Sequence, residues 1–541
     1  MSKFRLQALL MLTLGLMLLA GSEWSVVAQP GSRFFPQTNH GVRGAFLAYW
    51  DAHGGLARFG YPVSDEMSET PTPGGLVYTV QYFQRAVFEL HPENTGTPYE
   101  VLLRRLGADE YKELYGPDGA SGQYVSTDNP RIFPKTGHAL GGVFRAYWEG
   151  HGGLAQFGYP LSDEFSEVNT LDSHAYTVQY FERAIFERHP ENAGTPYEVL
   201  LTQLGSYAYR AGYGPLVIPP PSTGGIVFQK DPAGSGTFLA WTEQQGLSVP
   251  TFSMPGPPPT YTFHLLDLRT GRALTVARPA ERYYPGDLSV SGAVAVWTEP
   301  SDACSPDCRK VIGEDLNAGT TFAIADDPSP KSNAVIAGRR VAWAEGDPRD
   351  TRIMIKDLYT GETSTVGTLP LEDVFAGLLI SNEYVVWAEL SDPGNAYDLE
   401  AYNVKTGLTK TVGHFTNLEV SLGLALDGHS LVWTDPAVHI ADLDTGEVRT
   451  LYDHPALHPA IRGTTVAWSA YFNVPTIRGT TTEIWGLQLN DPTPRVLISN
   501  PANNPYGPAV IGSWLIWRDT GGRRLEAKRL DELFAPTGTG P

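Results

Sequence analysis

One short pattern governs what this chain can fold into. The stretch 294–299 reads VAVWTE: apolar, β-branched, closing on a Trp with an acid two residues further on. Close copies are centred on Trp241, Trp297, Trp343, Trp387, Trp433, Trp468 and Trp517, at intervals of 56, 46, 44, 46, 35 and 49 residues. A recurrence near 45 residues built from short strands is the signature of a β-propeller rather than of a helical array. After each of the first five Trp strands comes a second strand that ends in a turn of the type DLRTG (267–271), DLYTG (357–361) or DLDTG (442–446), and the sixth copy, LQLNDP (487–492), is degenerate. The Asp bonds its own backbone there and the Gly takes positive φ, which is hairpin chemistry. Two further strands complete each period, and four short strands make one blade.

Six full periods lie between the seven Trp strands, with a lone strand at 226–229 before them and one at 525–530 after them. Pairing these two end strands in one blade would close the ring and remove an exposed edge. The expectation is therefore seven blades over 225–535, with six as the alternative. Each Trp removes about 150–250 Å² from water, worth on the order of 4–6 kcal/mol at about 25 cal/mol per Å². That assigns the seven Trp to the core. The acids two residues on, Glu243, Glu299, Glu345, Glu389, Asp435 and Asp519, sit at strand ends. A ring of acids at the channel mouth would attract a cation such as a structural Ca²⁺, although no cofactor is required by any motif.

The first 213 residues carry a different repeat. Residues 33–115 and 131–213 match at a constant offset of 98. HGGLARFGYPVSDE (53–66) returns as HGGLAQFGYPLSDE (151–164), and YTVQYFQRAVFELHPEN (78–94) as YTVQYFERAIFERHPEN (176–192). Phe46, Tyr49, Trp50 and His53 share one face of a short helix, which Gly54-Gly55 stops. Strands are expected at 79–84 and 86–90 around a tight turn, and a strand or short helix at 99–106. Each copy is thus a small α+β unit, and the whole chain is multidomain and mainly β. A Pro-rich spacer, GPLVIPPPSTG at 214–224, separates the repeats from the propeller.

Two residue sets in the repeats are candidates for binding. Trp50, Phe83, Trp148 and Phe181 offer rings for stacking on a sugar, against a core role, since a unit this small must bury its aromatics. Glu89 with His91, and Glu187 with His189, place a carboxylate and an imidazole two residues apart on a strand. They are too few for a metal site on their own. Duplication argues against a catalytic role for the acids of SDE, because a hydrolase needs one carboxylate pair and not two.

The N-terminus has Lys3 and Arg5, an apolar run at 9–20 and a small-residue end, Val26-Val27-Ala28, before Gln29. This is the form of a secretory signal over 1–28, and the run is short for a membrane span. Residues 1–28 carry a net charge of +1, so their removal takes the chain from −20 to about −21. So acidic a surface repels nucleic acid and anionic lipid. The two cysteines, Cys304 and Cys308 in CSPDC, are expected as a local disulfide after export. Without a neighbouring His they make a poor zinc site.

The order Trp, Gly-Gly, FGYP, SDE and QxFxxAxF resembles the LGFP repeats of bacterial exported proteins, with FGYP where that family has LGFP and Ala86 and Ala184 where a Gly is usual. The resemblance implies attachment to a cell-envelope polymer, carbohydrate above all. The C-terminal region resembles TolB-type propellers, which implies a fold and no ligand. No G-x-S-x-G, H-E-x-x-H or P-loop motif occurs. The expected function is an exported, non-enzymatic binding protein at the cell surface. Its repeats would hold the polymer, and its propeller would present a surface to a protein or ligand. The alternatives are an extracytoplasmic glycan hydrolase or lyase with its site in the propeller channel, and an assembly scaffold without glycan affinity.

Overall fold

The computed structural model describes residues 31–70, 76–116, 119–120, 122–169, 174–221, 227–234, 238–245, 260–276, 288–301, 308–316, 319–346, 350–369, 374–392, 396–416, 423–474, 479–500, 503–521 and 523–535. The expected signal at 1–28 and Cys304 lie outside these residues. The chain divides into two compact units: residues up to 83 with 88–102, and 84–87 with 103–541.

The first unit opens with a hairpin, Ser32–Phe35 against His40–Arg43, and continues into helix Gly44–Ala52. Gly54-Gly55 does more than stop that helix. Gly54 sits at φ 102°, open to glycine and costly for other residues, and the chain turns there into a second helix, Gly55–Phe59. Strands Met67–Glu69, Tyr78–Tyr82, Val87–Leu90 and Val101–Leu103 then form a sheet in chain order. The expected element at 99–106 is the last of these strands. The helix after it, Leu106–Tyr115, belongs to the second unit. Phe46, Phe59 and Phe83 pack on Phe88, the Phe59 ring edge-on at 4.8 Å. The Trp50 indole N–H donates to Gly60 O at 3.2 Å, so this buried ring has its polar atom satisfied.

The second copy repeats the plan: helices Gly142–Gly150 and Gly153–Phe157, a sheet of strands Phe165–Val168, Ala175–Tyr180, Ile185–Arg188 and Val199–Leu201, and helix Leu204–Tyr213. Two turns serve reciprocally. The Ala108 N–H near the start of helix 106–115 donates to Glu182 O, at 3.1 Å, and the Ser206 N–H near the start of helix 204–213 donates to Gln84 O, at 3.0 Å. Each helix lacks a side-chain cap, and these carbonyls accept from amides of the first turn, that of Ala108 being shared with Arg105 O at 3.0 Å. A Cβ on Gly107 would lie 2.1 Å from Phe181 O, so only glycine lets this helix approach the turn.

Among the described residues from Val227 on, seven antiparallel sheets follow in succession, six of four strands and a last one of three, Pro505–Ile511, Trp514–Asp519 and Arg524–Arg529. This is a propeller-type arrangement. The Trp strands are the second strand of each sheet, and all seven Trp are buried. The turns behave as read: Asp357 and Asp442 each accept two backbone N–H bonds from their own turns.

One expectation is corrected. The strand opening this region does not complete the last sheet. Val227–Gly234 pairs along Phe238–Gln245, with Val227 opposite Gln245 and Gly234 opposite Leu239. Its partner begins four residues after it ends, and so local a pairing costs far less closure entropy than one across some 300 residues. The first and last sheets instead meet through side chains: Leu239, Trp241, Leu266 and Leu268 share a core with Ile511, Ile516 and Leu525. Six further clusters join each sheet to the next, so the packing order is cyclic.

Candidate functional site

In the second unit a partly buried polar cluster lies where the sheet of the second repeat meets helix 106–115 and the first propeller sheet. Glu167, on strand Phe165–Val168, accepts a hydrogen bond from the Tyr180 hydroxyl at 2.8 Å and a second from the Tyr115 hydroxyl. Burial pushes the Glu167 carboxyl up to about 7, against the pull of these two hydroxyls. Burial first, and then the nearby Glu167 charge, holds the Tyr115 and Tyr180 hydroxyls well above the usual tyrosine value.

Beside them Arg269, 5% exposed, makes a fork to Asp267 at 3.0 and 3.1 Å and pairs with Glu110 of helix 106–115. Its guanidinium lies 5.2 Å from the Phe238 ring centroid. A buried cation between two carboxylates keeps its charge, and the two carboxylates hold the guanidinium well above its ordinary value against the cost of burial.

The Glu187–His189 pair borders the same cluster. Glu187 accepts from Asn169 at 2.9 Å and from the Thr202 hydroxyl. His189 lies between carboxylates, Nδ1 at 2.8 Å from Glu191 and Nε2 at 3.7 Å from Glu187, with the Tyr176 ring 4.2 Å away. The first copy repeats this, His91 at 2.8 Å from Glu93, 3.9 Å from Glu89 and 4.3 Å from Tyr78. Thr202 is replaced there by Arg104. The cavity among Glu110, Glu167, Asn169, Glu187 and Arg269 measures about 30 Å³, room for a water or two. The cluster can hold a proton and join elements; it has no space for a substrate.

The aromatic candidates are core. Trp50, Phe83, Trp148 and Phe181 are 7%, 0%, 5% and 0% exposed, so none presents a face for stacking on a sugar. The small units need these rings to fill their interiors. The rings that do reach the surface are one position away. Tyr49 and His53 stack at 4.0 Å and 20°, and Tyr147 and His151 at 4.0 Å and 21°. His53 and His151 are exposed. Leu56 and Leu154, 43% and 42% exposed, follow them in sequence, and Tyr99 and Tyr197 at the second turn are 65% and 66% exposed. The helical spacing had placed Tyr49 and His53 on the face of Trp50 without showing where the core stops covering it.

The Trp-plus-two acids find partners close by. Trp297 and Trp343 donate from their indole N–H to Glu299 and Glu345 at 3.2 and 2.8 Å. Lys310 lies 3.4 Å from Glu299, Arg352 3.0 Å from Glu345, and His264 3.9 Å from Glu243. Asp519 accepts from Asn503 at 3.0 Å. Glu389 is buried and Asp435 half-buried, the latter's carboxyl raised by burial. Cys308 is buried.

Sequence reasoning did not find Arg269, Glu110 or Glu167. Arg269 had a readable signal, since it occupies the variable position of the DxxTG turn, where the later copies carry Asn317, Tyr359, Lys405 and Asp444.

No known protein-family model matches the sequence, and no curated protein does. Among solved structures the chain is similar to the β-propeller domain of the Trilobed protease from Pyrococcus furiosus, at TM-score 0.41 and 12% identity over 58% of this chain and 98% of that one. It is also similar to the Pyrococcus horikoshii acylaminoacyl peptidase, at 0.40 and 12% over 57% of this chain and 53% of the peptidase. For TolB from Acinetobacter baumannii the values are 0.30 and 13%, over 51% and 77%. At these values the propeller-type fold rests on the strand pairing and cyclic cores described above.

Proposed function

We propose that this chain is an exported, non-enzymatic binding protein whose two repeats hold a repeating envelope polymer, of carbohydrate chemistry, while a seven-bladed propeller presents a surface to a partner. One observation carries the reading: in both copies, with the same geometry, an exposed His (His53, His151) stacks on a half-buried Tyr (Tyr49, Tyr147) beside an exposed Leu. Flat aromatic faces with polar edges suit pyranose rings, and a surface made twice suits a ligand that itself repeats. The acidic charge of the chain favours a neutral polymer over a phosphate-rich one. The seven blades are supported by seven sheets and a cyclic series of shared cores.

The test is co-sedimentation of the full-length protein with insoluble envelope polysaccharide. The wild type is expected in the pellet. A variant with His53, Leu56, His151 and Leu154 all changed to Ser is expected in the supernatant. Equal pelleting of both, or a soluble wild type, would overturn the proposal.

A further inference from the structure

The fourth and fifth propeller sheets meet at an arrangement that none of the above uses. Glu383 lies in the turn between strands Val374–Ile380 and Tyr384–Asp392 of the fourth sheet. His429 lies in the turn between strands Leu424–Asp427 and Ser430–Asp435 of the fifth. Asp444 lies in the DLDTG turn of the fifth, after strand Ala437–Asp442. Their ligand atoms fall within 4.8 Å of one another. The Nδ1 atom of His429 is 3.5 Å from Glu383 Oε2 and 3.9 Å from Asp444 Oδ2.

Those separations are long for hydrogen bonds. They are near the spacing of ligands on one ion: donors each about 2.0–2.2 Å from a tetrahedral zinc lie roughly 3.3–3.6 Å apart, and the side chains would move inward to close the shell. The surroundings hold Asp444. The Tyr384 hydroxyl donates to Asp444 Oδ1 at 2.7 Å, leaving Oδ2 for the ion. The other ring nitrogen of His429, Nε2, faces Asp442 Oδ2 at 3.6 Å. Asp442 is itself held by the N–H groups of Asp444 and Thr445 at 2.9 and 2.8 Å. The two turns are also tied directly, Ser381 Oγ–H donating to Gly428 O at 2.7 Å.

We infer that Glu383, His429 and Asp444 bind one divalent transition-metal ion of the Zn²⁺ type, with water in the remaining position, and that the ion clips the fourth sheet to the fifth. One imidazole with two carboxylates favours Zn²⁺ over Ca²⁺, which takes six to eight oxygens. The group is half-exposed, with side-chain exposures of 53% for Glu383, 46% for His429 and 59% for Asp444, so the ion needs no buried entry path.

The experiment is calorimetric titration of the metal-stripped full-length protein with ZnCl₂ and with CaCl₂, repeated on His429→Ala and Glu383→Gln. Both side chains are surface groups, so the variants are expected to fold, and circular dichroism checks that they do. One Zn²⁺ per chain is expected, weakened at least tenfold by either substitution, with Ca²⁺ silent. Substitution of Zn²⁺ by Co²⁺ should give the visible absorption of a four-coordinate site in the wild type alone. No Zn²⁺ binding, equal binding by His429→Ala, or a Ca²⁺ affinity equal to that for Zn²⁺ would each overturn the inference.

Discussion

The two N-terminal copies are nearly the same sequence in different company. Both bury the same Trp and Phe, and both stack an exposed His on a half-buried Tyr. Yet most of the first copy stands as its own compact unit, while the second is part of the unit that contains the propeller. The difference lies in a few polar positions. Glu182 replaces Gln84, and pairs with Arg105 at 2.9 Å. Thr202 replaces Arg104 and donates to Glu187. Glu167 accepts two tyrosine hydroxyls, where Glu69 accepts that of Tyr82 at 2.8 Å. What is shared builds the fold of the unit; what differs builds the joint. The surface proposed to hold the polymer belongs to the shared part, which is why it occurs twice.

The comparison can be broken at its core. Phe83→Ala and Phe181→Ala remove equivalent rings, each 0% exposed, and each should cost about 3–5 kcal/mol. Scanning calorimetry should show Phe83→Ala lowering a transition of the first unit, and Phe181→Ala lowering the transition that includes the propeller. If both variants shift one common transition equally, the two copies are not in different units.

Arg269→Ala strikes only the second copy's joint. It strands Glu110 and Asp267 in a buried place, at a cost of about 3–5 kcal/mol. Proteolysis near helix 106–115 should rise, while the hairpin 32–43 of the first unit stays protected. Unchanged proteolysis would mean that Arg269 does not secure this helix.

Glu167 adds a pH dependence of definite sign. Its carboxyl is raised to about 7 in the folded protein, so between about 4.5 and 7 the unfolded chain gives up a proton that the folded one keeps. Stability should therefore fall as pH rises through that window, by roughly 3 kcal/mol, and then level off. Denaturant titrations from pH 4.5 to 8 should show this slope, and Glu167→Gln should flatten it. Glu69→Gln, the same change in the first copy, should leave it in place. A slope that survives Glu167→Gln belongs to another group.

Much of the architecture was legible because it repeats. A Trp that returns every 45 residues or so can only be a structural spacer, and the DxxTG turns mark their own hairpins. The helix Leu106–Tyr115 was not legible, because its hold comes from Glu182 and Arg269, 76 and 163 residues away from its first residue. The closure of the ring was misread for the opposite reason: edge pairing looked necessary, whereas Leu239 and Trp241 packing on Ile516 and Leu525 joins the ends without it. At the candidate surface the periodicity named the right helix face but the wrong rings. Burial depends on what lies above the face, and Phe35 at 5.4 Å covers Trp50 while His53 is left at the surface.

The smallest effect on stability should accompany the largest effect on binding. Changing His53 and Leu56 to Ser, or His151 and Leu154 to Ser, removes exposed groups and should alter stability by less than about 0.5 kcal/mol. The most direct measurement of the central claim is the affinity of the full-length protein for one soluble, neutral envelope polysaccharide, compared across the wild type, these two paired variants and the quadruple variant. If both copies engage the polymer, either pair alone should weaken binding by about tenfold or more, and the quadruple variant should show none. A quadruple variant that binds as tightly as the wild type would contradict the account.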